Sequence, residues 1–555
     1  LILDSLRIPF KVIEARERVG GRLYTHTFRN HTGAPYNYFD VGAMRFPEIR
    51  AMTRVFHLFR YPPLNTEGFA LRKKLKEFYF ANGNALYSYN GVTMRQSDGI
   101  VDNVIEPFAS RLLEDLEKGG KKGWEYMIQR DHLSTRAYMS GEYRPSATLP
   151  IPKTALSVDV INWMETFDSS TGSYDRALTE TVLAAISFGW KRENTVKETK
   201  WWCIDGGAFE IANTMYQYLR GNEANFSFSQ RVTGIKVAKN AKDEAIGVDV
   251  TTNYYTTERF SHVITSIPLP VLRSLDLVGA DLTPLQSNAL RQLNYGASTK
   301  IGMQFRTAWW TTAKDRNGRV LGIVGGQTYT DSPLRTIVYP SYGDAQGGRT
   351  TTLIASYCWT DDAERLGALI GSDRRVLEEM MLRELARIHN VDVEFLAGQL
   401  IDTFAWSWSH DPFSMGAFAS FGPGKFANVY QSLTTPAARG RLHFAGEAIS
   451  TRHAWVEGAL DSAWRAVYEL LCQPGYYKYQ KEFFRKWGTN AEWFGDWTPL
   501  SDEGTEMSQP PPWENNAPKD AEEIDPEKLN RHSLLLLHIA ASESSPDFIA
   551  TLSTA

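Results

Sequence analysis

The spacing of apolar residues along the chain predicts a helix-and-strand pattern that starts, is interrupted and returns twice. Residues 1–8 ("LILDSLRI") repeat apolar side chains at helical spacing, and Pro9 ends that helix before "FKVIEA", which is predicted to be a buried strand. The pattern returns in the glycine turn and helix of "CIDGGAFEIANTMYQYL", and again in the buried strand "RLHFAGEAIS" followed by the helix "WVEGALDSAWRAVYELL". A helix that leads into a buried strand is half of a parallel βαβ unit. The three pieces therefore indicate one discontinuous nucleotide-binding domain.

The segments between these pieces have other patterns. Residues 50–200 consist of long helical patterns with polar breaks, and residues 230–270 predict a strand meander that ends in a buried strand and two prolines. Residues 280–425 mix helices with strands such as "STKIGMQF", "TIVYP" and "TTLIASYCW". After about residue 498 the chain is rich in proline and acidic residues, which favours an extended surface segment.

Composition narrows the function classes. A chain of 555 residues is too long to fold around a single hydrophobic core, so two or three structural units are expected. The net charge of -4 provides no basic surface for binding nucleic acid. The longest apolar run, near residues 534–541, is far shorter than the roughly 20 residues of a membrane span. We therefore expect neither a nucleic-acid partner nor a membrane partner. Localisation and oligomeric state, including a homo-oligomer, are left open by the sequence.

The stretch "VIEARERVGGRLYTH" carries the first candidate chemistry. Glu14 ends a strand where a dinucleotide fold places the acid that hydrogen-bonds a ribose, and Gly20 and Gly21 let backbone amides approach a pyrophosphate that Arg22 can neutralise. A surface turn is the alternative interpretation. The glycine-rich phosphate loop belongs about 20 residues earlier than such an acid. We therefore expect a first strand and loop outside this sequence, either as a docked N-terminal fragment left by processing or as preceding residues.

Four motifs occur in a characteristic order: "ERVGGRLYTH", "DVGAMRFP", "ITSIPLP" and "FAGEAISTRHAWVEGALDSAWR". Together they resemble the FAD-dependent amine oxidase family over roughly residues 1–475, and "GAMRFP" with the later "YP" looks most like its L-amino-acid oxidase branch. The resemblance implies an α/β fold, in which an interrupted Rossmann-type FAD-binding domain carries an inserted α+β substrate-binding domain and a helical domain.

The resemblance also divides the chain. It implies an FAD-binding domain at 1–50, 201–275 and 430–475, a substrate-binding domain at 51–90 and 276–429, a helical domain at 91–200, and a C-terminal extension at 476–555.

The resemblance implies FAD as the cofactor. Glu447 would hydrogen-bond its ribitol or pyrophosphate, and the amide dipoles at the start of the 455–471 helix would point at the flavin. The residues expected to bind the cofactor are Glu14, Ala15, Arg16, Gly20, Gly21, Arg22, Gly42, Ala43, Met44, Arg45, Val232, Gly446, Glu447, Trp455 and Val456. No residue pattern indicates a metal site.

A second set of residues is expected to act on the substrate. A guanidinium offers a planar fork to a carboxylate, and by resemblance Arg45 anchors the α-carboxylate of an amino acid with a second hydrogen bond from Tyr339. Lys300, a lysine in a strand that otherwise buries its neighbours, matches the family's lysine that holds a water at the flavin. The alternatives are structural roles: an ion pair for Arg45, a core position for Tyr339 and an edge strand for Lys300.

Aromatic residues are expected to wall the pocket. By resemblance Trp408 and Trp455 lie against the flavin, although tryptophans are commonly core residues, and the backbone carbonyl of Ala454 faces the substrate amine. His26, His410 and His453 lie near motifs but lack the spacing of a metal site or a catalytic triad, so structural roles are expected. The sequence shows no general base.

These expectations indicate oxidative deamination of L-amino acids, with oxygen as co-substrate and a 2-oxo acid, ammonia and hydrogen peroxide as products. Three alternatives remain at this point: an amino-acid 2-monooxygenase that yields an amide, a polyamine or monoamine oxidase, and a flavin-binding chain without turnover. A monoamine would have no use for Arg45. The side-chain preference is not encoded in any motif.

Overall fold

The computed structural model describes residues 1–490 apart from 30–35, 81–85, 91, 95–99, 119–120, 148, 150, 169, 191–198, 222–224, 342–349 and 373. The proline- and acid-rich segment predicted after residue 498 lies outside the described residues. No helix within the described part of the chain is long and apolar enough to cross a membrane.

The strands in this part of the chain are mostly short. They are β1 (Lys11–Ile13), β2 (Thr25–Thr27), β3 (Tyr38–Asp40), β4 (Phe46–Pro47), β5 (Leu75–Glu77), β6 (Tyr87–Tyr89), β7 (Val92–Met94), β8 (Trp201–Ile204), β9 (Asn225–Ser227), β10 (Val232–Lys239), β11 (Ala245–Thr252), β12 (Thr256–Phe260), β13 (Val263–Thr265), β14 (Tyr295–Gly296), β15 (Ser298–Phe305), β16 (Gln327–Thr330), β17 (Thr336–Val338), β18 (Thr352–Trp359), β19 (Leu400–Ser407), β20 (Phe418–Ala419) and β21 (Leu442–Phe444).

The helices include several that follow the predicted patterns closely. They are α1 (Ile2–Ser5), α2 (Thr53–Arg60), α3 (Ile100–Lys118), α4 (Lys122–Ile128), α5 (Thr135–Ser140), α6 (Val158–Asp168), α7 (Leu178–Ser187), α8 (Phe209–Gly221), α9 (Leu269–Leu272), α10 (Pro284–Gln292), α11 (Trp309–Thr312), α12 (Thr360–Ile370), α13 (Arg374–His389), α14 (Val393–Gln399), α15 (Lys425–Asn428), α16 (Val456–Leu471) and α17 (Gln480–Trp487). Short 3₁₀ helices occupy Arg50–Met52, Pro62–Leu64, Leu71–Lys74, Ser173–Asp175, Tyr430–Thr434, Glu447–Ile449 and Tyr477–Tyr479.

The predicted nucleotide-binding pieces form two parallel strand pairs. β1 pairs with β9, and β13 pairs with β21, so strands distant in sequence meet as a βαβ arrangement requires. The meander β10–β11–β12 is antiparallel and precedes β13, as the sequence predicts.

The prediction that "FKVIEA" is a buried strand is wrong, because all three residues of β1 are only half-buried. Among the described residues no strand pairs with the second edge of β1 or of β13. Both edges instead line a cavity of about 2520 Å³, with Lys11, Val12 and Ile13 on one side and residues 263–267 on another. Among the described residues, the two strand pairs are therefore separated by this cavity.

A second, larger sheet has seven strands in the order β19-β15-β18-β17-β16-β6-β7. β15 lies between β19 and β18, and every residue of β15 is buried. The edge-strand alternative for Lys300 is thus excluded. One apolar cluster joins this sheet to α12, α13 and α14, and a second cluster joins the helical region around α3, α4 and α7 to the meander.

Candidate functional site

The loop that carries Arg45 is held in place by its own backbone. β2 and β3 form an antiparallel pair, and the amides of Val41 and Gly42 both donate to the carbonyl of Tyr24, at 2.9 and 3.1 Å. A Cβ atom at Gly42 would lie 1.7 Å from the carbonyl oxygen of Arg22, so only glycine fits there. The expected cofactor role of Gly42, Ala43 and Met44 stays a prediction, whereas the packing role of Gly42 follows directly.

Arg45 is a buried cation surrounded by aromatic rings. Its side chain is 8% exposed, and its guanidinium carbon lies 4.7 Å from the ring centroid of Phe80, 5.3 Å from that of Phe188 and 5.9 Å from that of Trp201. Nη1 donates to Oε1 of Gln327 at 3.0 Å. No carboxylate among the described residues forms an ion pair with Arg45, and burial lowers its pKa. A buried guanidinium without an acid partner favours the binding of an anion.

Lys300 lies next to the same loop. Its side chain is 2% exposed, and Nζ donates to the carbonyl oxygens of Asp40 and Gly42 at 2.9 and 2.6 Å. Burial lowers the pKa of Lys300 to about 7, although the charge of Asp40 raises it. Two of its hydrogens are engaged, so a neutral Lys300 keeps its lone pair for a further partner.

Tyr357 is a site residue that the sequence analysis missed. It pairs with Lys300 across β15 and β18, and the ammonium of Lys300 lies 4.5 Å from the centroid of its ring. Burial raises the pKa of the Tyr357 phenol while the nearby charge of Arg45 lowers it. Tyr357 therefore lies beside Lys300 and close enough to Arg45 to sense its charge. The alternation within "TTLIASYCW" could have assigned its face, once the register with β15 was known.

The assignment of Tyr339 beside Arg45 is wrong. Its hydroxyl is hydrogen-bonded to Nε2 of His389 and lies 3.1 Å from Oγ1 of Thr328, inside the cluster that packs against α13. The preceding residue, Val338, instead belongs to the cluster of Trp408 and Trp455. Successive residues of a strand point to opposite faces, so Tyr339 points away from the site.

Trp408 and Trp455 do lie in one aromatic cluster near Arg45. The rings of Phe188 and Trp201, which flank Arg45, lie 5.1 and 6.3 Å from the ring of Trp455. Trp408 donates its indole N–H to the carbonyl of Val41 at 3.2 Å. Their contact with a flavin stays a prediction.

Glu447 organises the turn before α16. Its carboxylate accepts hydrogen bonds from Nη1 of Arg22 at 2.7 Å, from the amide of Ala419 at 3.2 Å and from the amide of Ala454 at 2.9 Å. Burial alone would raise the pKa of Glu447, but Arg22 and His453 hold it below its usual range. Arg22 and Glu447 are thus paired with each other, and the expected contacts of Glu447 with the flavin and of Arg22 with a pyrophosphate stay predictions.

Ala454 adopts a left-handed conformation, with φ 66°, directly before Trp455 and the first turn of α16. Such a conformation is uncommon for a residue other than glycine. The hydrogen bond from the backbone amide of Ala454 to the carboxylate of Glu447 stabilises it. The carbonyl of Ala454 is expected to face the substrate amine, and this stays a prediction.

The N-terminal motif has the shape of a dinucleotide site. The carboxylate of Glu14 accepts from the amide of Arg16 at 2.8 Å, while the guanidinium of Arg16 pairs with Asp411. An added Cβ at Gly21, whose φ is 51°, would meet nothing within 4 Å. Ala15 is half-buried beside Glu14.

Further groups along the chain also suit FAD. Gly446 has φ 126° and open space where a Cβ would lie, and α16 begins at Val456, so its first amides have no partner within the helix. Val232 lines the large cavity together with Ile13. The open glycines, the acid at the strand end and the helix N-terminus fit an adenine dinucleotide, although the roles of individual residues stay predictions.

The three histidines have structural partners. His453 Nδ1 lies 3.0 Å from the carboxylate of Glu180, His410 Nδ1 lies 2.8 Å from Oγ of Ser407, and His26 stacks on Phe404 with ring centroids 3.7 Å apart. Within the described ranges no three potential metal ligands lie together.

Comparison with known proteins agrees with this geometry. The model of the flavin-containing amine oxidoreductase family matches residues 3–471. L-amino-acid oxidase 4 of Hebeloma cylindrosporum is 46% identical over 532 residues, which covers 89% of this chain and 83% of the relative. An L-amino-acid oxidase of Siganus canaliculatus is 26% identical over 82% of this chain and 79% of its own length.

A solved structure shares the fold. A double mutant of putrescine oxidase superposes with a TM-score of 0.61 at 16% identity, covering 85% of this chain and 96% of the other. This likeness and the family match confirm the expected α/β fold with a Rossmann-type FAD-binding domain. The family match and the 46% identical relative confirm FAD as the cofactor.

Proposed function

Because the chain belongs to the family of flavin-containing amine oxidoreductases, we propose that it oxidises L-amino acids to 2-oxo acids with release of ammonia and hydrogen peroxide. The observation that carries this proposal is Arg45, a buried guanidinium without an acid partner among the described residues. A substrate carboxylate supplies the missing negative charge and forms charge-assisted hydrogen bonds with the guanidinium.

The chain's own residues orient the substrate. Arg45 binds the carboxylate, and the phenol of Tyr357, which lies beside Lys300 and senses the charge of Arg45, donates a second hydrogen bond to it. The carbonyl of Ala454 accepts from the substrate amine. Bound FAD would supply the two-electron oxidant for this reaction, with oxygen as the final electron acceptor. Trp408 and Trp455 exclude water from the reacting carbon.

Lys300 contributes a basic nitrogen at neutral pH. Its lowered pKa of about 7 leaves much of it uncharged there, with its lone pair directed away from the two carbonyls that it binds. It can therefore accept a hydrogen from one ordered water next to the flavin edge.

Product identity tests the proposal against the amino-acid 2-monooxygenase alternative. The holoenzyme is incubated with L-phenylalanine and oxygen, and phenylpyruvate, ammonia, peroxide and carbon dioxide are measured together. We expect phenylpyruvate, ammonia and peroxide in equal amounts when a peroxidase and its dye substrate consume the peroxide as it forms and report how much was made. Phenylacetamide with an equal amount of carbon dioxide would contradict the proposal.

We also propose that the gap between β1 and β13 takes one further parallel strand with a glycine-rich phosphate loop. Among the described residues, the free edges of the two parallel strand pairs line the same cavity. One further strand there would join the two pairs into one five-stranded sheet. Its loop would supply the helix N-terminus that a pyrophosphate requires. An N-terminal segment of this protein, covalent or docked, is the occupant that we propose.

A further inference from the structure

Gln327, the first residue of β16, has both ends of its amide engaged. It is 3% exposed, its Oε1 accepts from Nη1 of Arg45 at 3.0 Å, and its Nε2 donates to the carbonyl of Phe80 at 3.4 Å. The bond to Phe80 fixes which end of the amide faces Arg45. A flipped amide would bring its oxygen against the carbonyl of Phe80 and its N–H donors against the guanidinium.

The guanidinium is restrained from several directions. Phe80 also provides one of the aromatic rings near Arg45, at 4.7 Å, and Phe188 provides another at 5.3 Å. Aromatic rings restrict the approach of a ligand, so a carboxylate reaches the guanidinium through its in-plane N–H groups. One terminal nitrogen already points at Gln327, and this choice decides which edge of the fork remains for the ligand.

We infer that Gln327 is a positioning residue that sets the rotation of the Arg45 guanidinium and so the plane in which the substrate carboxylate binds. The inference rests on the proposed function, since it concerns the same carboxylate site. An amide suits this task because it is a neutral acceptor: it holds one N–H without cancelling the positive charge. A glutamate of the same length would pair with Arg45 and compete with the substrate within the protein.

Two variants and one matched control test the inference. Gln327→Met keeps the shape and removes the acceptor, and Gln327→Glu keeps the acceptor and adds a charge. Gln304→Met is the control, because Gln304 is a fully buried glutamine of the same sheet whose amide atoms have no hydrogen-bond partner among the described residues. For each holoenzyme the Kd of 3-phenylpropionate (phenylalanine without its amine) is measured from the flavin spectrum, beside kcat and KM for L-phenylalanine.

We expect Gln327→Met to raise both the Kd and the KM about tenfold with kcat within about threefold, as for the loss of one orienting hydrogen bond. Gln327→Glu should weaken 3-phenylpropionate by about a hundredfold or more, because Arg45 is then neutralised from within. Turnover of phenethylamine, which has no carboxylate, should change less than about threefold in Gln327→Glu. Gln304→Met should leave the Kd unchanged.

A Gln327→Glu protein that binds 3-phenylpropionate as the parent does would overturn the inference. So would a Gln327→Met protein with parental Kd and KM, or a Gln304→Met control that weakens the ligand equally. Failure of the proposed function is separately visible, since the parent itself would then neither bind 3-phenylpropionate nor oxidise L-phenylalanine.

Discussion

Lys300 illustrates how burial changes the chemistry of a single side chain. The ammonium form of a lysine is poorly solvated in a buried strand, and its pKa falls to about 7 although the charge of Asp40 raises it. Arg45 lowers the pKa of Lys300 further. Lys300 is therefore protonated below pH ~7 and largely neutral above it, within the range where most enzymes are assayed.

This behaviour predicts a break in the pH profile. Below pH ~7 a protonated Lys300 adds a second positive charge beside Arg45 and repels the substrate ammonium group. We expect the slope of log(kcat/KM) against pH to steepen by about one unit below pH ~7, since one more proton must then be lost. Lys300→Met should remove this additional break and lower the maximal rate. A Lys300→Met profile with the same break would assign it to another group.

Tyr339 and Tyr357 show what the sequence can and cannot decide about a single residue. The residue types of Arg45 and Lys300 indicated a carboxylate site. The sequence analysis assigned Tyr339 to that site, whereas in the structure Tyr357 lies beside Lys300 and Tyr339 is hydrogen-bonded to His389. Facing in a strand alternates with every residue, so Val338 lies on the side of the site whereas its neighbour Tyr339 lies in the core behind it. The pairing of Lys300 with Tyr357 depends on sheet register, which no local pattern contains.

The charges of Arg22 and Glu447 lead to the same conclusion. Each alone suits a flavin site, and their separation of 425 residues in sequence hides the 2.7 Å hydrogen bond between them. That bond, and the hydrogen bond from the amide of Ala454 to Glu447, hold the turn before α16 in place. Ala454 has a strained left-handed backbone in this turn. Long-range pairing of this kind becomes visible only when the fold brings the two segments together.

At the scale of elements, the sequence predicted most of the architecture. The βαβ-type pieces, the meander before β13, the fully buried β15 and the helix α16 all appear where their periodicity indicated. The exception is β1, whose sequence suits a central strand but whose exposure is that of an edge strand. The sequence pattern of β1 thus matches a five-stranded sheet better than the two-stranded pair in which it lies.

The proposed fifth strand gives the prediction for this scale. Mass spectrometry of the purified, flavin-loaded protein should find a segment that carries a G-x-G-x-x-G sequence, either joined to the chain or held without a covalent bond. Removing it should release FAD and lower the melting temperature, because both free edges and the pyrophosphate amides would be lost. A protein that lacks such a segment and still binds one FAD per chain would contradict the proposal.

At the scale of the whole molecule, the site forms where the predicted units meet. Arg45 comes from the N-terminal piece, Lys300 and Tyr357 from the seven-stranded sheet, and Trp455 from the turn before α16. The proposed domain boundaries stay predictions, although the three-stranded sheet β4-β8-β5 joins segments on both sides of one such boundary.

The central claim is that Arg45 makes this protein an oxidase of amino acids rather than of simple amines. The most direct measurement is the ratio of kcat/KM for L-phenylalanine to that for phenethylamine, in the parent and in Arg45→Met, with Arg316→Met as an exposed control. We expect a large ratio in the parent that falls by about two to four orders of magnitude in Arg45→Met, because a buried charge pair is lost while flavin remains bound. A ratio that stays at the parental value in flavin-loaded Arg45→Met would contradict the account.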